Sequence, residues 1–284
     1  MAWDGLEAAM ILSIEGDEST GKSTLAYTAP LPIVGLSTDM GHERAIYGSQ
    51  FAKWFKGLDI EFVRYSKGGG KVDLPVTLSR GKDILIYELP APIQFDPIKQ
   101  VGYLEQWDYL LEVFMDQVQE PEGSLVTDTM TLLNRNRRNA HLQFMQKKDP
   151  SRSSLIQIEY GKPNEAIRDL YQAAQAFRKN MVVTHHLKQT YEPEIVNGKV
   201  EHIWKGKYET DGVPDTRKQV DVSLRMSKEG SELKGMFMKC GYNLSLEGDS
   251  LPNPSWNMLV AMIENAGWEG RPFVKREKRE EAGA

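Results

Sequence analysis

The chain has 284 residues, 40% of them hydrophobic and 26% charged, values ordinary for a soluble globular protein with one sizeable core. A net charge of −5 excludes a polycation that coats nucleic acid indiscriminately, and a single cysteine, Cys240, excludes an internal disulfide and a multi-cysteine zinc site. No apolar run is long enough to span a bilayer, and the acidic start Met1-Ala2-Trp3-Asp4-Gly5-Leu6-Glu7 lacks a secretory signal's basic opening, so a cytoplasmic protein without membrane contact is expected.

Met10-Ile11-Leu12-Ser13-Ile14 reads as a short buried strand ended by Gly16, and a helix over residues 24–28 stops before Pro30. Residues 33–37 and 61–65 are further strand candidates. Gly68-Gly69-Gly70 breaks the chain, and residues 83–87 read as another strand within an inserted hairpin spanning about 60–95. Val101, Leu104, Trp107, Leu111, Phe114 and Val118 recur at steps of three and four and predict an amphipathic helix, ended by Pro121-Glu122-Gly123. An apolar strand, Ser124-Leu125-Val126-Thr127, then closes on Asp128, with a helix starting near Thr129. Ile167, Leu170, Ala174 and Phe177 mark one face of a second helix, and Met181-Val182-Val183-Thr184-His185-His186 is the next strand.

Strands alternating with helices predict an α/β fold with a mostly parallel, helix-covered sheet. After residue 186 the pattern becomes antiparallel. Asn197-Gly198 predicts a tight hairpin, residues 220–226 and 233–239 a second strand pair, and residues 255–266 a final helix capped by Ser255. Residues 1–274 read as one domain, followed by a charged, disordered tail over 275–284.

Gly16-Asp17-Glu18-Ser19-Thr20-Gly21-Lys22-Ser23 has the spacing of a phosphate-binding loop. Triphosphate oxygens need many donors in a small volume, and the glycines let backbone N–H groups approach while the next helix presents its positive end. Lys22 would reach the β- and γ-phosphates and the Ser23 hydroxyl would hold magnesium, with Thr24 following in the same turn. Asp128, at the end of an apolar strand, is the candidate second acid on the magnesium side. ATP, or a related triphosphate, and Mg2+ are therefore the expected ligands.

The run Gly16-Asp17-Glu18-Ser19-Thr20-Gly21-Lys22-Ser23-Thr24-Leu25 resembles the RecA recombinase loop, and the order of later elements also looks RecA-like. The match is nearest to small RecA-core ATPases of bacteriophages, of the nucleotide-binding or single-strand-annealing type. That resemblance implies a P-loop ATPase core acting on single-stranded DNA in recombination, annealing or repair, as a homo-oligomer working with single-strand-binding or replication proteins. It also implies a water-activating acid after the second strand, where Asp39 and Glu43 are the candidates and Glu43 is preferred. His185 or His186 would take the sensor position that reads the γ-phosphate, and Lys239 the place of a residue reaching a neighbouring subunit. Because the loop starts at Gly16, the resemblance does not extend to polymerisation through an N-terminal helix and strand.

Contacts to DNA would need a basic track with aromatic platforms. Arg135, Arg137, Arg138, Lys147, Lys148 and Arg152 lie within residues 134–153 with one acid, Asp149, and the hairpin region adds Tyr191, Trp204, Tyr208, Lys199, Lys205 and Lys207. Two other functions fit the loop: a small-molecule kinase, which needs an acceptor pocket and an arginine-bearing lid, and a nucleotide-controlled scaffold or loader.

Overall fold

The computed structural model describes residues 7–48, 51–65, 81–196 and 199–277. Its centre is a nine-stranded sheet in the order β11-β10-β9-β1-β6-β5-β2-β4-β3. The strands are β1 (Ile11–Gly16), β2 (Ile33–Ser37), β3 (Ile60–Arg64), β4 (Ile84–Glu88), β5 (Ser124–Asp128), β6 (Asn180–His185), β9 (Val222–Glu229), β10 (Glu232–Cys240) and β11 (Ser250–Pro252). From β9 to β3 the neighbours are parallel, whereas β10 pairs antiparallel with β9 and with β11. The remaining strands, β7 (Leu187–Val196) and β8 (Lys199–Thr210), form a separate antiparallel ribbon.

Continuous apolar runs in β1, β2, β4, β5 and β6 are the sequence signature of parallel strands buried on both faces. Alternate residues of each strand feed opposite cores. Leu12, Ile14, Ile84 and Ile86 pack on one side with Leu25 of α1 (Lys22–Ala26), Ile46 of α2 (His42–Tyr47), and Leu259 and Ile263 of α7 (Trp256–Asn265). Ile11, Leu85, Tyr87 and Val183 pack on the other with α3 (Tyr103–Val118), α4 (Met130–Gln146) and α5 (Gly161–Ala176). A short turn, α6 (Thr216–Gln219), precedes β9.

Three local expectations change. β3 and β4 pair in parallel as the outer strands of the main sheet, so they are not the arms of a hairpin. Parallel neighbours need a crossover rather than a turn; Gly68-Gly69-Gly70 lies outside the described residues. Phe177 is 46% exposed. α5 ends one residue earlier, and Arg178 adopts φ 53, which turns the chain so that the Lys179 N–H reaches the Ala174 carbonyl at 2.8 Å. Ser255 occupies the N-cap position of α7 without a side-chain bond; the Thr28 hydroxyl accepts from the Trp256 N–H at 2.9 Å instead. Asn197-Gly198 and residues 278–284 also lie outside the described residues.

Candidate nucleotide site and its surroundings

β1 delivers the loop and α1 receives it. A Cβ on Gly16 would stand 2.6 Å from the Met226 carbonyl oxygen on β9, so only glycine lets the strand leave the sheet there. Gly21 has φ 80 and lies so close to Leu233 that an added Cβ would meet its Cδ1 at 2.3 Å. The glycines thus satisfy two separate requirements, close approach and a left-handed turn. α1 has only five residues, so the donors available to a phosphate are mainly the loop's own N–H groups rather than a long helix dipole.

Lys22 is buried and its Nζ donates to the Asp17 carbonyl at 2.5 Å. Burial lowers its pKa, while the charges of Asp128, Asp39, Asp17 and Glu18 oppose that shift. The side chain is folded back over its loop, with acids on several sides. Glu18, Ser19, Thr20, Gly21, Ser23 and Thr24 line the same cleft, which has a volume of about 450 Å³.

Asp128 closes β5 at the floor of this region, fully buried. Its Oδ1 accepts from the Thr184 hydroxyl of β6 at 2.5 Å, whereas Oδ2 has no hydrogen-bond partner among the described residues. Burial pushes its pKa up to about 6, helped by the negative charge of Asp39 and countered by the Thr184 and Ser23 hydroxyls and by Lys22. An orphaned buried carboxylate oxygen beside a serine hydroxyl suits a hard divalent cation. No group of three or more His, Cys, Asp or Glu side chains gathers for a metal among the described residues. Magnesium needs few protein ligands, because it keeps waters and substrate oxygens in its shell. The donor set therefore fits magnesium held by Ser23 and Asp128.

Asp39 follows β2, and β2 is the neighbour of β5 on the side away from β6. It lines the loop cleft, together with Gly41, Arg44 and His186. Glu43, preferred from sequence, is exposed on the first turn of α2 and is not part of the cleft wall. The reason is a turn: Met40 adopts φ 59 and the Asp39 Oδ1 accepts the Gly41 N–H at 2.9 Å, which starts α2 with Glu43 pointing outward.

Sequence reading missed what holds this turn. Buried His42 bridges the ends of two paired strands, with Nδ1 2.7 Å from the Ser37 hydroxyl and Nε2 2.9 Å from the Glu88 carboxylate. Ser37 and Glu88 sit opposite each other in the β2–β4 register. On the other side, the Thr38 N–H donates to the Asp128 carbonyl at 2.7 Å and its hydroxyl to the Thr129 carbonyl at 3.0 Å. Polar residues ending two apolar strands were the available signal.

The two histidines separate. His185 is fully buried beneath Gly212, with Nδ1 3.2 Å from the Ser13 hydroxyl, and burial lowers its pKa to about 4, so its ring is neutral. His186 lines the cleft, and β7 begins at the next residue. A second network escaped sequence reading at the residue before the loop. The buried Glu15 carboxylate accepts from Arg225 at 2.6 and 2.9 Å, from Arg217 at 3.0 Å, and from the Thr210 hydroxyl that ends β8. Burial alone would raise the Glu15 pKa, but these partners outweigh it and hold the carboxyl below its ordinary value. An acid inside an apolar strand was the sequence signal.

The basic segment is divided by its surroundings. Arg135, Lys147 and Lys148 are exposed, whereas Arg137 stacks over Trp107 at 5.0 Å, Arg138 over Tyr160 at 5.1 Å, and Arg152 pairs with Glu159. On the ribbon, Trp204 and Tyr208 meet edge to face at 5.9 Å and stay partly exposed, as does Tyr191. Lys207 pairs with Glu192 at 3.3 Å, and the side chains of Lys199 and Lys205 lie outside the described residues. Lys239 is committed to the Arg217 and Val220 carbonyls at 2.9 and 2.5 Å, which ties it within its own chain. No helix among the described residues is long and apolar enough to cross a membrane.

No protein-family model and no curated relative matches the chain. Solved structures with a distant likeness include the flagellar accessory protein FlaH from Methanocaldococcus jannaschii, with TM-score 0.43 and 13% identity over 87% of this chain and 86% of that one. A KaiC-like protein from Pyrococcus horikoshii gives TM-score 0.41 and 14% identity over 87% and 86%. The RadB recombinase gives 0.43 and 11% over 87% and 88%. Likenesses this distant assign no activity; the chemistry of the site has to do that.

Proposed function

We propose that this chain is a RecA-like, magnesium-dependent ATPase that acts on single-stranded DNA, in recombination, annealing or repair, as a cytoplasmic protein of the phage annealing type. The observation that carries the reading is one cleft shared by the loop lysine, Asp39 and His186, with Asp128 beneath it and an aromatic ribbon leaving the strand end at His186. Hydrolysis and strand handling would then be mechanically adjacent.

In this reading, Lys22 gives up the Asp17 carbonyl and meets the β- and γ-phosphates, a like-for-like exchange of oxygen acceptors. Ser23 and Asp128 would hold magnesium, which when bound would neutralise charge on the triphosphate. Asp39, rather than Glu43, orients the attacking water from the cleft wall and receives its proton. His186 senses the γ-phosphate and passes its loss to β7, while Glu15 ties the strand before the loop to the other end of the ribbon at Thr210.

The test is ATP turnover with and without single-stranded DNA. A rise of several-fold or more, lost in Lys22→Ala, supports the reading. Turnover unchanged by DNA, with no binding at low salt in any nucleotide state, removes the DNA half. ADP formation that depends on a small-molecule acceptor would make it a kinase.

A further inference from the structure

We propose that a cleft between α3, α4 and the start of α5 holds one nucleotide unit, its phosphate on Arg137, His141 and Lys162 and its base against Phe144. The cleft has a volume of about 300 Å³, and those four residues line it with Trp107 and Asp108. The source of the nucleotide, a DNA single strand, rests on the function proposed above; the chemistry of the cleft does not.

The argument begins with an unanswered charge. The Arg137 guanidinium is stacked over Trp107, and its Nε is buried without a hydrogen-bond partner. Among the described residues it forms no ion pair, although Asp108 is near enough for its charge to act on Arg137. Lys162 also has no ion pair among them. A partly buried cation without a counter-ion is costly, and folded chains ordinarily supply a carboxylate. Here the cations Arg137 and Lys162 share the cleft with one carboxylate, Asp108, and with the His141 ring. Burial lowers the pKa of His141, and the charges of Arg137 and Lys162 lower it further. A tetrahedral dianion or phosphodiester entering the cleft would answer all three groups at once.

The walls narrow the ligand class. The His141 and Phe144 rings lie nearly parallel, at 12° with centroids 6.3 Å apart, and Phe144 is 43% exposed. A flat aromatic surface beside an anion site suits a base attached to its phosphate better than an inorganic anion or an acidic peptide. Arg138, one residue on, lies over Tyr160, the Lys148 Nζ stands 5.4 Å from the Phe144 ring centroid, where an entering base would displace it, and exposed Lys147 continues the positive surface. A strand could therefore extend in one direction from the cleft.

The experiment measures anisotropy of a labelled oligothymidylate against the parent, Lys162→Ala/Phe144→Ala, Arg137→Gln and, as a remote charge control, Lys228→Ala. Lys162 and Phe144 are exposed enough to be changed without emptying the core. The double variant should bind about tenfold or more weakly at low salt. Its log–log salt slope should drop by about 0.7 for each phosphate that the protein no longer neutralises. If it behaves like Lys228→Ala while the parent binds DNA, the cleft inference is overturned and the DNA reading stands. A second arm titrates the dinucleotide pTpT by calorimetry, with the loop filled by a non-hydrolysable triphosphate. If DNA fails to bind but pTpT binds the parent and not the double variant, the cleft is right and the DNA reading wrong. If neither ligand binds the parent, both fall.

Discussion

In the proposed mechanism Lys22, Asp39 and Asp128 have separable duties. Lys22→Ala should lower ATP turnover on the order of a hundredfold or more and weaken triphosphate binding, because it removes the cation nearest the transferred phosphoryl group. Asp39→Asn should lower kcat by a similar factor while KM changes little, whereas Glu43→Gln should stay near the parent. Steady-state kinetics on the pair checks this, and the opposite pattern would return the hydrolytic role to Glu43. Glu15 offers a stability test. Glu15→Gln leaves Arg225 and Arg217 facing a neutral amide, and should cost about 2 kcal/mol in urea unfolding, less than for a fully buried pair because both arginines are partly exposed. The folded pKa of Glu15 lies below its ordinary value of 4.5. Its contribution is therefore complete above 4.5 and is lost as pH falls through the lower folded value, so the difference between parent and variant should shrink in acid.

At the scale of elements, the proposed strand contacts would fall to α4 with the residues after it for charge and to the β7–β8 ribbon for aromatic surface. Arg135 on α4 and Lys147 and Lys148 just after it are exposed, while Arg152 is paired, so the exposed three should govern nonspecific salt dependence. Changing these three to alanine should lower the log–log salt slope of single-strand binding by up to about 2, read by titration at several salt concentrations. The ribbon carries Glu192 and Glu209 against Lys207 and Lys188, and those ion pairs neutralise it. Its resource is aromatic. Trp204→Ala/Tyr208→Ala should weaken strand affinity about tenfold and leave the salt slope unchanged, since stacking releases few counterions. An equal fall in slope in both variants would mean that the ribbon meets phosphates after all.

For the whole molecule, the strand order puts Asp128 of β5 two strands from the loop strand, with β6 between them. Exposed Arg44 lines the cleft, and in the reading proposed above a second copy would complete the site beside it. A homo-oligomer is accordingly the expected active form, and turnover per subunit should rise with protein concentration. Light scattering alongside the rate checks this; a strict monomer with undiminished turnover on dilution would count against it.

Local chemistry made much of this legible from the chain alone. Apolar runs of five or six residues marked β1, β2, β4, β5 and β6 within a residue or two, because parallel strands buried on both faces need no polar alternation. The glycine-rich loop and Asp128 could be proposed as a site because glycine spacing and a strand-end acid are properties of contiguous residues. What contiguous residues could not determine was direction and neighbourhood. Glu43 and Asp39 lie four positions apart, and only the left-handed turn at Met40 and the His42 bridge to Glu88 decide which one faces the cleft. His185 and His186 are adjacent, and where β6 ends at His185 the chain keeps that ring in the core and turns the next one toward the cleft. β3 and β4 read as a hairpin until their parallel register placed them at the sheet edge. Arg137 reads as one more surface cation until α3 brings Trp107 beneath it. In each case the deciding partner lies on another element, and only the folded chain brings it into contact.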